Sequence, residues 1–187
     1  MPYDPSQVYQ PEEDTCLLLD AALSEVKPGD RVLELGTGSG IISAELAKIT
    51  DIVATDINPN AVSCARTKHL EVVQTDLFSG IKGSFDLVVF NPPYLPTAPE
   101  DRIDDWLEYA LDGGSSGRMT ILRFAEEVDR VLAPGGRILL LISSLTGLPE
   151  VRDLFFKKQF VSEILLKRKV EDENLYVLRI VRQTFEM

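Results

Sequence analysis

The sequence predicts an α/β fold built on a mostly parallel seven-stranded sheet, preceded by an N-terminal helix and closed by a C-terminal antiparallel hairpin. Three observations predict it. Short apolar runs alternate with segments of helical spacing, the pattern of a parallel sheet covered on both faces. A glycine-rich turn, Gly36-Thr37-Gly38-Ser39-Gly40, joins the first apolar run to the helix that follows it. The last two apolar runs are linked by a polar connection too short for a crossover, so they can only pair antiparallel.

Taken in order, Pro11 to about Val26 reads as a helix. A proline stands at its start, Glu12, Glu13 and Asp14 lie at its positive end, and Cys16 to Leu19 with Leu23 supply apolar residues. Lys27-Pro28-Gly29-Asp30 ends it. Arg31 to Leu35 is the first strand, and Ile41 to Ile49 the helix after the glycine turn. Ile52 to Thr55, Leu70 to Gln74 and Phe85 to Phe90 are the next strands, with Pro59 to Lys68 a helix between the first two of them. An irregular stretch from Leu95 to Ser116, rich in Pro, Gly and Asp, leads to a helix from Met119 to Leu132 that stops at Ala133-Pro134-Gly135-Gly136. Arg137 to Ile142 is the fifth strand and Pro149 to Lys158 the last helix. Val161 to Lys169 and Leu175 to Val181 form the hairpin about Glu171-Asp172-Glu173-Asn174.

A chain of 187 residues is expected to form one domain, with residues 1–30 as an extension and helix packed over the ligand site. A domain of that size buries roughly 70% of its unfolded surface and needs no disulfide or metal. Cys16 and Cys64 each sit among apolar neighbours and read as reduced, buried thiols; no Cys/His cluster offers a metal site. The N-terminus has no signal-like segment and no run approaches the ~20 apolar residues of a membrane span, so a cytoplasmic protein without membrane contact is expected. The net charge of −11, from 30 acidic and 19 basic residues, disfavours free nucleic acid as a partner. Lys167-Arg168-Lys169 falls on a strand and reads as a solvated edge, and His69, the one histidine, as a surface residue.

Gly36, Gly38 and Gly40 have GxGxG spacing, and position 41 is Ile where a dinucleotide fingerprint needs Gly or Ala. Glu34, two residues before the turn, would repel a pyrophosphate but suits a cationic amino-acid moiety, which favours S-adenosyl-L-methionine over NAD. Asp56 ends the second strand, where a carboxylate can accept both ribose hydroxyls. Asp76 follows the third and can accept an adenine amine, with Leu77 packing on the base. Either aspartate alone could be a turn or helix cap. Three acids at successive strand ends beside a glycine turn point to a ligand site, because open α/β sheets bind ligands at the carboxyl ends of their strands.

Asn91-Pro92-Pro93-Tyr94 stands at the end of the fourth strand. A planar amide or amine nitrogen that is to be methylated should give both N–H hydrogens to acceptors. The Asn91 side-chain oxygen can take one and the Pro92 carbonyl the other, while the prolines fix the backbone and Tyr94 stacks on the planar group.

These residues, with Val8-Tyr9-Gln10-Pro11-Glu12-Glu13-Asp14-Thr15, Leu33 to Gly40, Thr55-Asp56-Ile57-Asn58-Pro59 and Leu111-Asp112-Gly113-Gly114-Ser115-Ser116-Gly117-Arg118, resemble the HemK family of protein-(glutamine-N5) methyltransferases, in its short eukaryotic and archaeal branch. The resemblance implies the class I methyltransferase, Rossmann-like fold and N5-methylation of the Gln in the Gly-Gly-Gln motif of a class I peptide-chain release factor. It implies that Thr15, Glu34, Leu35, Gly36, Gly38, Gly40, Asp56, Ile57, Asp76, Leu77 and Asn91 bind the cofactor, and that Asn91, Pro92, Pro93 and Tyr94 carry the reaction. Because the catalytic domain begins almost at once, with no helical docking domain before it, the resemblance also implies a small zinc-binding activator protein paired along the edge at the third strand. A nucleic-acid methyltransferase acting on adenine N6 or guanine N2 and a non-catalytic cofactor-binding subunit are the competing readings of the same motif.

Overall fold

A computed structural model describes residues 3–98, 100 and 105–184. Among the described residues six α-helices lie along the chain: α1 (Glu13–Glu25), α2 (Ile41–Leu46), α3 (Pro59–Arg66), α4 (Trp106–Tyr109), α5 (Met119–Glu127) and α6 (Leu148–Lys157). The strands are β1 (Arg31–Leu35), β2 (Asp51–Asp56), β3 (Val72–Gln74), β4 (Phe85–Phe90), β5 (Leu132–Ser143), β6 (Phe160–Val170) and β7 (Glu173–Arg182). They form one sheet in the order β3-β2-β1-β4-β5-β7-β6. The first five strands run parallel, and β7 is antiparallel to both β5 and β6.

Alternate residues of the central strands enter two different cores, as the two-residue period of a strand requires. Leu33, Val88, Phe90, Ile138 and Leu140 pack on one face with Ile121 and Phe124 of α5 and Val151 and Phe155 of α6. Val32, Leu87, Val89, Leu139 and Leu141 pack on the other with Leu17, Leu18, Ala21 and Ala22 of α1 and Ile42 and Leu46 of α2. Both faces are therefore dry, which explains why the strands read as near-continuous apolar runs.

Four expectations need correcting. The helix starting at Met119 ends at Glu127, passes through a 3-10 turn at Val128–Arg130, and the strand is already under way at Leu132. Leu132 pairs with Phe85, and the register then jumps to Leu87 with Arg137, so Ala133 to Gly136 form an irregularity within β5 rather than a turn before it. The hairpin turn is only Glu171-Asp172, because Glu173 and Asn174 already pair with Val170 and Lys169. The stretch from Leu95 to Ser116 holds α4, with positions 99 and 101–104 outside the described residues. Cys16 is exposed, since Leu17, Leu18, Ala21 and Ala22 form the buried stripe of α1 and position 16 lies off it; Cys64 is buried, and both thiols are free.

The N-terminal segment crosses the carboxyl ends of β1 and β2. Asn58 caps α3, its side-chain oxygen accepting from the Asn60 N–H (2.8 Å), and its Nδ2 donates to the Gln7 carbonyl (2.7 Å). Asn58→Ala removes both bonds, and a loss of about 1 to 2 kcal/mol is expected as a lower urea midpoint at unchanged slope. Among the described residues no helix is long and apolar enough to cross a membrane.

Candidate functional site

A cleft with ≈ 1170 Å³ of space, its open mouth included, lies across the carboxyl ends of β1, β2 and β4. That is room for a nucleoside-sized ligand and the end of a second molecule. Thr15, Glu34, Leu35, Gly36, Gly38, Asp56, Ile57, Asp76, Leu77, Asn91, Pro92, Pro93 and Tyr94 all line it. Gly40 does not. A Cβ there would come within 2.9 Å of the Ala65 Cβ, so this glycine lets α2 and α3 approach each other.

Glu34 lies two residues after Val32 and opposite in facing to Leu33 and Leu35, so its side chain points to the α2 face, where it is buried. The Thr37 hydroxyl (2.7 Å) and the Ser43 hydroxyl both donate to its Oε2. Burial raises this carboxyl to about 7, although the two hydroxyls oppose the shift. At Asp56 both oxygens hold the backbone, Oδ2 accepting from the Gly38 N–H (2.8 Å) and Oδ1 from the Asn58 N–H (2.9 Å). This ties the glycine turn to the end of β2, as does the Thr37 N–H to the Thr55 carbonyl (2.9 Å). Burial also raises the Asp56 carboxyl. Asp76 stands nearer solvent and is paired with Arg123 of α5 at 2.6 Å.

The group that organises the other end of the cleft is Asp14, which local spacing presents only as one of three acids at the start of α1. Its Oδ1 accepts from the Thr15 N–H (2.5 Å) and the Thr15 hydroxyl (3.1 Å). Its Oδ2 accepts from the Tyr9 hydroxyl (3.0 Å), the Asn91 Nδ2 (3.0 Å) and, at 3.5 Å, the Tyr94 hydroxyl. Burial, and then the charge of Asp14, push both phenols above their ordinary range, so they remain donors.

The consequence falls on Asn91. A carboxylate offers only acceptors, so the Asn91 amide must turn its NH2 towards Asp14 and its oxygen away. That oxygen, Oδ1, is buried and among the described residues has no hydrogen-bond partner. An unsatisfied buried acceptor costs roughly 1–3 kcal/mol unless something comes to meet it. At the rim of a ligand cleft, it is an acceptor waiting for an N–H.

The chain after Tyr94 is held by the glycine-rich block at 111–118. Leu95 exchanges backbone hydrogen bonds with Leu111 (3.0 Å) and Gly113 (2.9 Å), and a Cβ on Gly117 would lie 2.5 Å from the Tyr94 carbonyl. A side chain at 117 would therefore push Tyr94 out of place. Tyr9, Asp14, Trp106, Tyr109 and Arg123 also line the cleft, and periodicity gives no sign of them.

The residues present fit S-adenosyl-L-methionine: a buried acid beside the glycine turn that suits a cationic moiety, a second acid at the end of β2, a third after β3, and, among the described residues, no cluster of cations that would favour a pyrophosphate. Residues 11–103 match the Methyltransferase small domain family. A putative protein N5-glutamine methyltransferase of Methanocaldococcus jannaschii is 41% identical over 184 residues, covering 94% of this chain and 92% of the relative. The methyltransferase HEMK2 of Homo sapiens is 36% identical over 194 residues, covering 95% and 91%. Among solved structures, the E. cuniculi Mtq2–Trm112 complex, described as responsible for methylation of the eRF1 translation termination factor, superposes with a TM-score of 0.80 at 32% identity, covering 95% of this chain and 99% of that one. With 36% to 41% identity to those two relatives along nearly its whole length, the chain belongs to the HemK family of protein N5-glutamine methyltransferases, on the class I methyltransferase fold.

Proposed function

We propose that this chain methylates the side-chain nitrogen of the Gln in the Gly-Gly-Gln motif of a class I peptide-chain release factor, with S-adenosyl-L-methionine as donor. The observation that carries the reading is the buried Asn91 Oδ1, which has no partner while its own Nδ2 is held by Asp14. Bound in the cleft, the cofactor supplies an electrophilic methyl group. Asn91 Oδ1 would accept one N–H of the target amide and the Pro92 carbonyl the other, which would fix the nitrogen and stabilise the positive charge it gains as the methyl–sulfur bond breaks; S-adenosylhomocysteine is the leaving group, and the nitrogen would return to neutral by giving one proton to solvent. Asp14 keeps the Asn91 amide in the required orientation, and Tyr94 lies along the planar target group. Glu34 meets the cationic end of the cofactor, Thr15 its methionine part, Asp56 the ribose, and Asp76 with Leu77 the base.

Purified release factor, DNA and RNA incubated together with labelled S-adenosylmethionine test the reading. Label in the Gly-Gly-Gln peptide supports it, and label in nucleic acid alone refutes it. The net charge of −11 favours the protein target.

Glu34 gives the site a pH dependence. Its carboxyl is raised in the fold, so its contribution to the stability of the ligand-free protein is full below the unfolded value and is lost as pH rises through about 7. Glu34→Gln is therefore expected to gain stability relative to the parent between pH 5 and pH 8, read from urea midpoints. The cationic cofactor favours the charged carboxylate, so its affinity rises with pH through the same window, and the substitution flattens that rise.

The partner belongs to the same proposal. β3 ends the sheet and, among the described residues, pairs with β2 alone. The Mtq2 relative was solved with a second chain. A small zinc-binding activator that extends the sheet at Val72–Gln74 would supply a recognition surface for the substrate. Co-expression should then raise activity and solubility, and a lone chain that is soluble and fully active contradicts the need for it.

A further inference from the structure

We propose that Arg123 is a positioning residue for the cofactor's base: it fixes the Asp76 carboxylate so that one oxygen is reserved for the exocyclic amine of adenine. The inference deepens the reading above and rests on its assignment of Asp76 to the base.

Arg123 lies on α5, whose Ile121, Phe124 and Ala125 are buried in the core. Thr120 and Arg123, three residues apart, share a face and both reach the cleft. Arg123 Nη2 donates to Asp76 Oδ2 at 2.6 Å, across 47 residues of chain. The contact uses a single oxygen. Among the described residues Asp76 Oδ1 accepts no hydrogen bond, in contrast to Asp56, where each oxygen holds a backbone amide.

The side chains of Arg123 and Asp76 are 50% and 43% exposed, and an ion pair that open contributes little to stability. Its consequence is geometric. Without a partner the Asp76 side chain is free to rotate about two bonds beside solvent, and each ligand that binds it must pay for ordering it. With one oxygen clamped from α5, the carboxylate plane is set before the ligand arrives and the other oxygen is left for an N–H. Asp76 precedes Leu77, whose φ of +46° is a conformation that bulky residues rarely adopt, so the backbone at this turn is also held in a defined bend. Tyr109 and Glu127 stand near the same guanidinium. Neither takes the 2.6 Å contact. A carboxylate fixed in this way accepts from the amine of adenine and repels the carbonyl oxygen that hypoxanthine carries at the same position, so the pair sets base specificity as well as affinity.

The test is calorimetric titration of the full chain with S-adenosylhomocysteine and with its inosine counterpart, joined to steady-state kinetics. Arg123→Gln is expected to weaken S-adenosylhomocysteine ~10-fold, the order of one charge-assisted hydrogen bond. It should raise KM for the donor by a similar factor and leave kcat at saturating donor within about 2-fold, with Arg123→Lys restoring most of the affinity. The inosine counterpart, already weak on the parent, should lose nothing further. Two results overturn the inference while sparing the base-end reading: Asp76→Asn weakens binding but Arg123→Gln does not, or Arg123→Gln lowers kcat at unchanged affinity. If Asp76→Asn itself leaves binding of the adenine compound unchanged, the assignment of Asp76 to the base fails and the role of Arg123 fails with it.

Discussion

Asn91→Ala is expected to lower methyl transfer at least ~100-fold, the loss seen when one group that stabilises a developing charge is removed. The substitution deletes the one buried side-chain oxygen that lacks a hydrogen-bond partner among the described residues, on a residue that lines the cleft. It also frees one of the donors held by Asp14, but Tyr9 and Thr15 still satisfy that carboxylate. The fold should therefore survive, and the affinity for S-adenosylhomocysteine should change much less than kcat. Single-turnover kinetics separate the two. Near-normal turnover would remove Asn91 from the reaction, and a loss of cofactor binding equal to the loss of rate would make it a binding residue only.

Asp14→Asn is expected to lower kcat by ~10–100-fold, although the side chain keeps its shape and its place at the start of α1. The carboxylate accepts at both oxygens, and this alone forces the Asn91 amide to present its NH2 to Asp14 and its oxygen away from it. An amide at position 14 has one end that accepts and one that donates. It can face Asn91 with either, so the orientation of Asn91 is no longer dictated, and donors that shared two oxygens are left competing for one. The rate should fall with little change in the pH profile, since no proton passes through Asp14. Asp14→Glu, which keeps the charge but lengthens the side chain, should recover part of the loss only if Asn91 can still be reached. Equal rates for Asp14→Asn and the parent would show that the Asn91 orientation is set by something other than this carboxylate.

Much of this architecture is legible in the sequence because it depends on local pattern. The β1 and β4 bounds, Arg31 to Leu35 and Phe85 to Phe90, agree to the residue, since each is an apolar run bounded by polar or glycine residues. The parallel run of strands and its antiparallel end follow from the alternation of strands and helices together with the short C-terminal connection, whereas the order of the strands is implied only by the resemblance. The errors come where a tertiary contact outweighs a local signal. Ala133-Pro134-Gly135-Gly136 has the composition of a turn, yet Leu132 pairs with Phe85 before it and Arg137 with Leu87 after it. Glu173 and Asn174 are polar enough for a loop but continue the ladder of a hairpin.

The clustering of Gly36, Gly38, Glu34, Asp56 and Asp76 at one cleft is readable for the same reason: these glycines and acids stand at or beside strand ends, where position along the chain and position in space coincide. The target end is not. Asp14 touches Asn91 across 77 residues, and nothing in the helix-start pattern of Pro11 to Thr15 distinguishes that acid from Glu12 and Glu13. The resemblance runs through that block but gives a role to Thr15, not to Asp14. Arg123 is hidden in the same way, by a contact with Asp76 that joins an ordinary amphipathic helix to the turn after β3.

Peptide-level mass spectrometry of a class I release factor, after incubation with this protein and S-adenosylmethionine, bears on the central claim most directly. The account predicts one methyl group, on the side-chain nitrogen of the Gln in Gly-Gly-Gln, present with the parent chain and lost with Asn91→Ala. A release factor left unmodified while added DNA or RNA is methylated, or a Gln methylated equally well by Asn91→Ala, would contradict it.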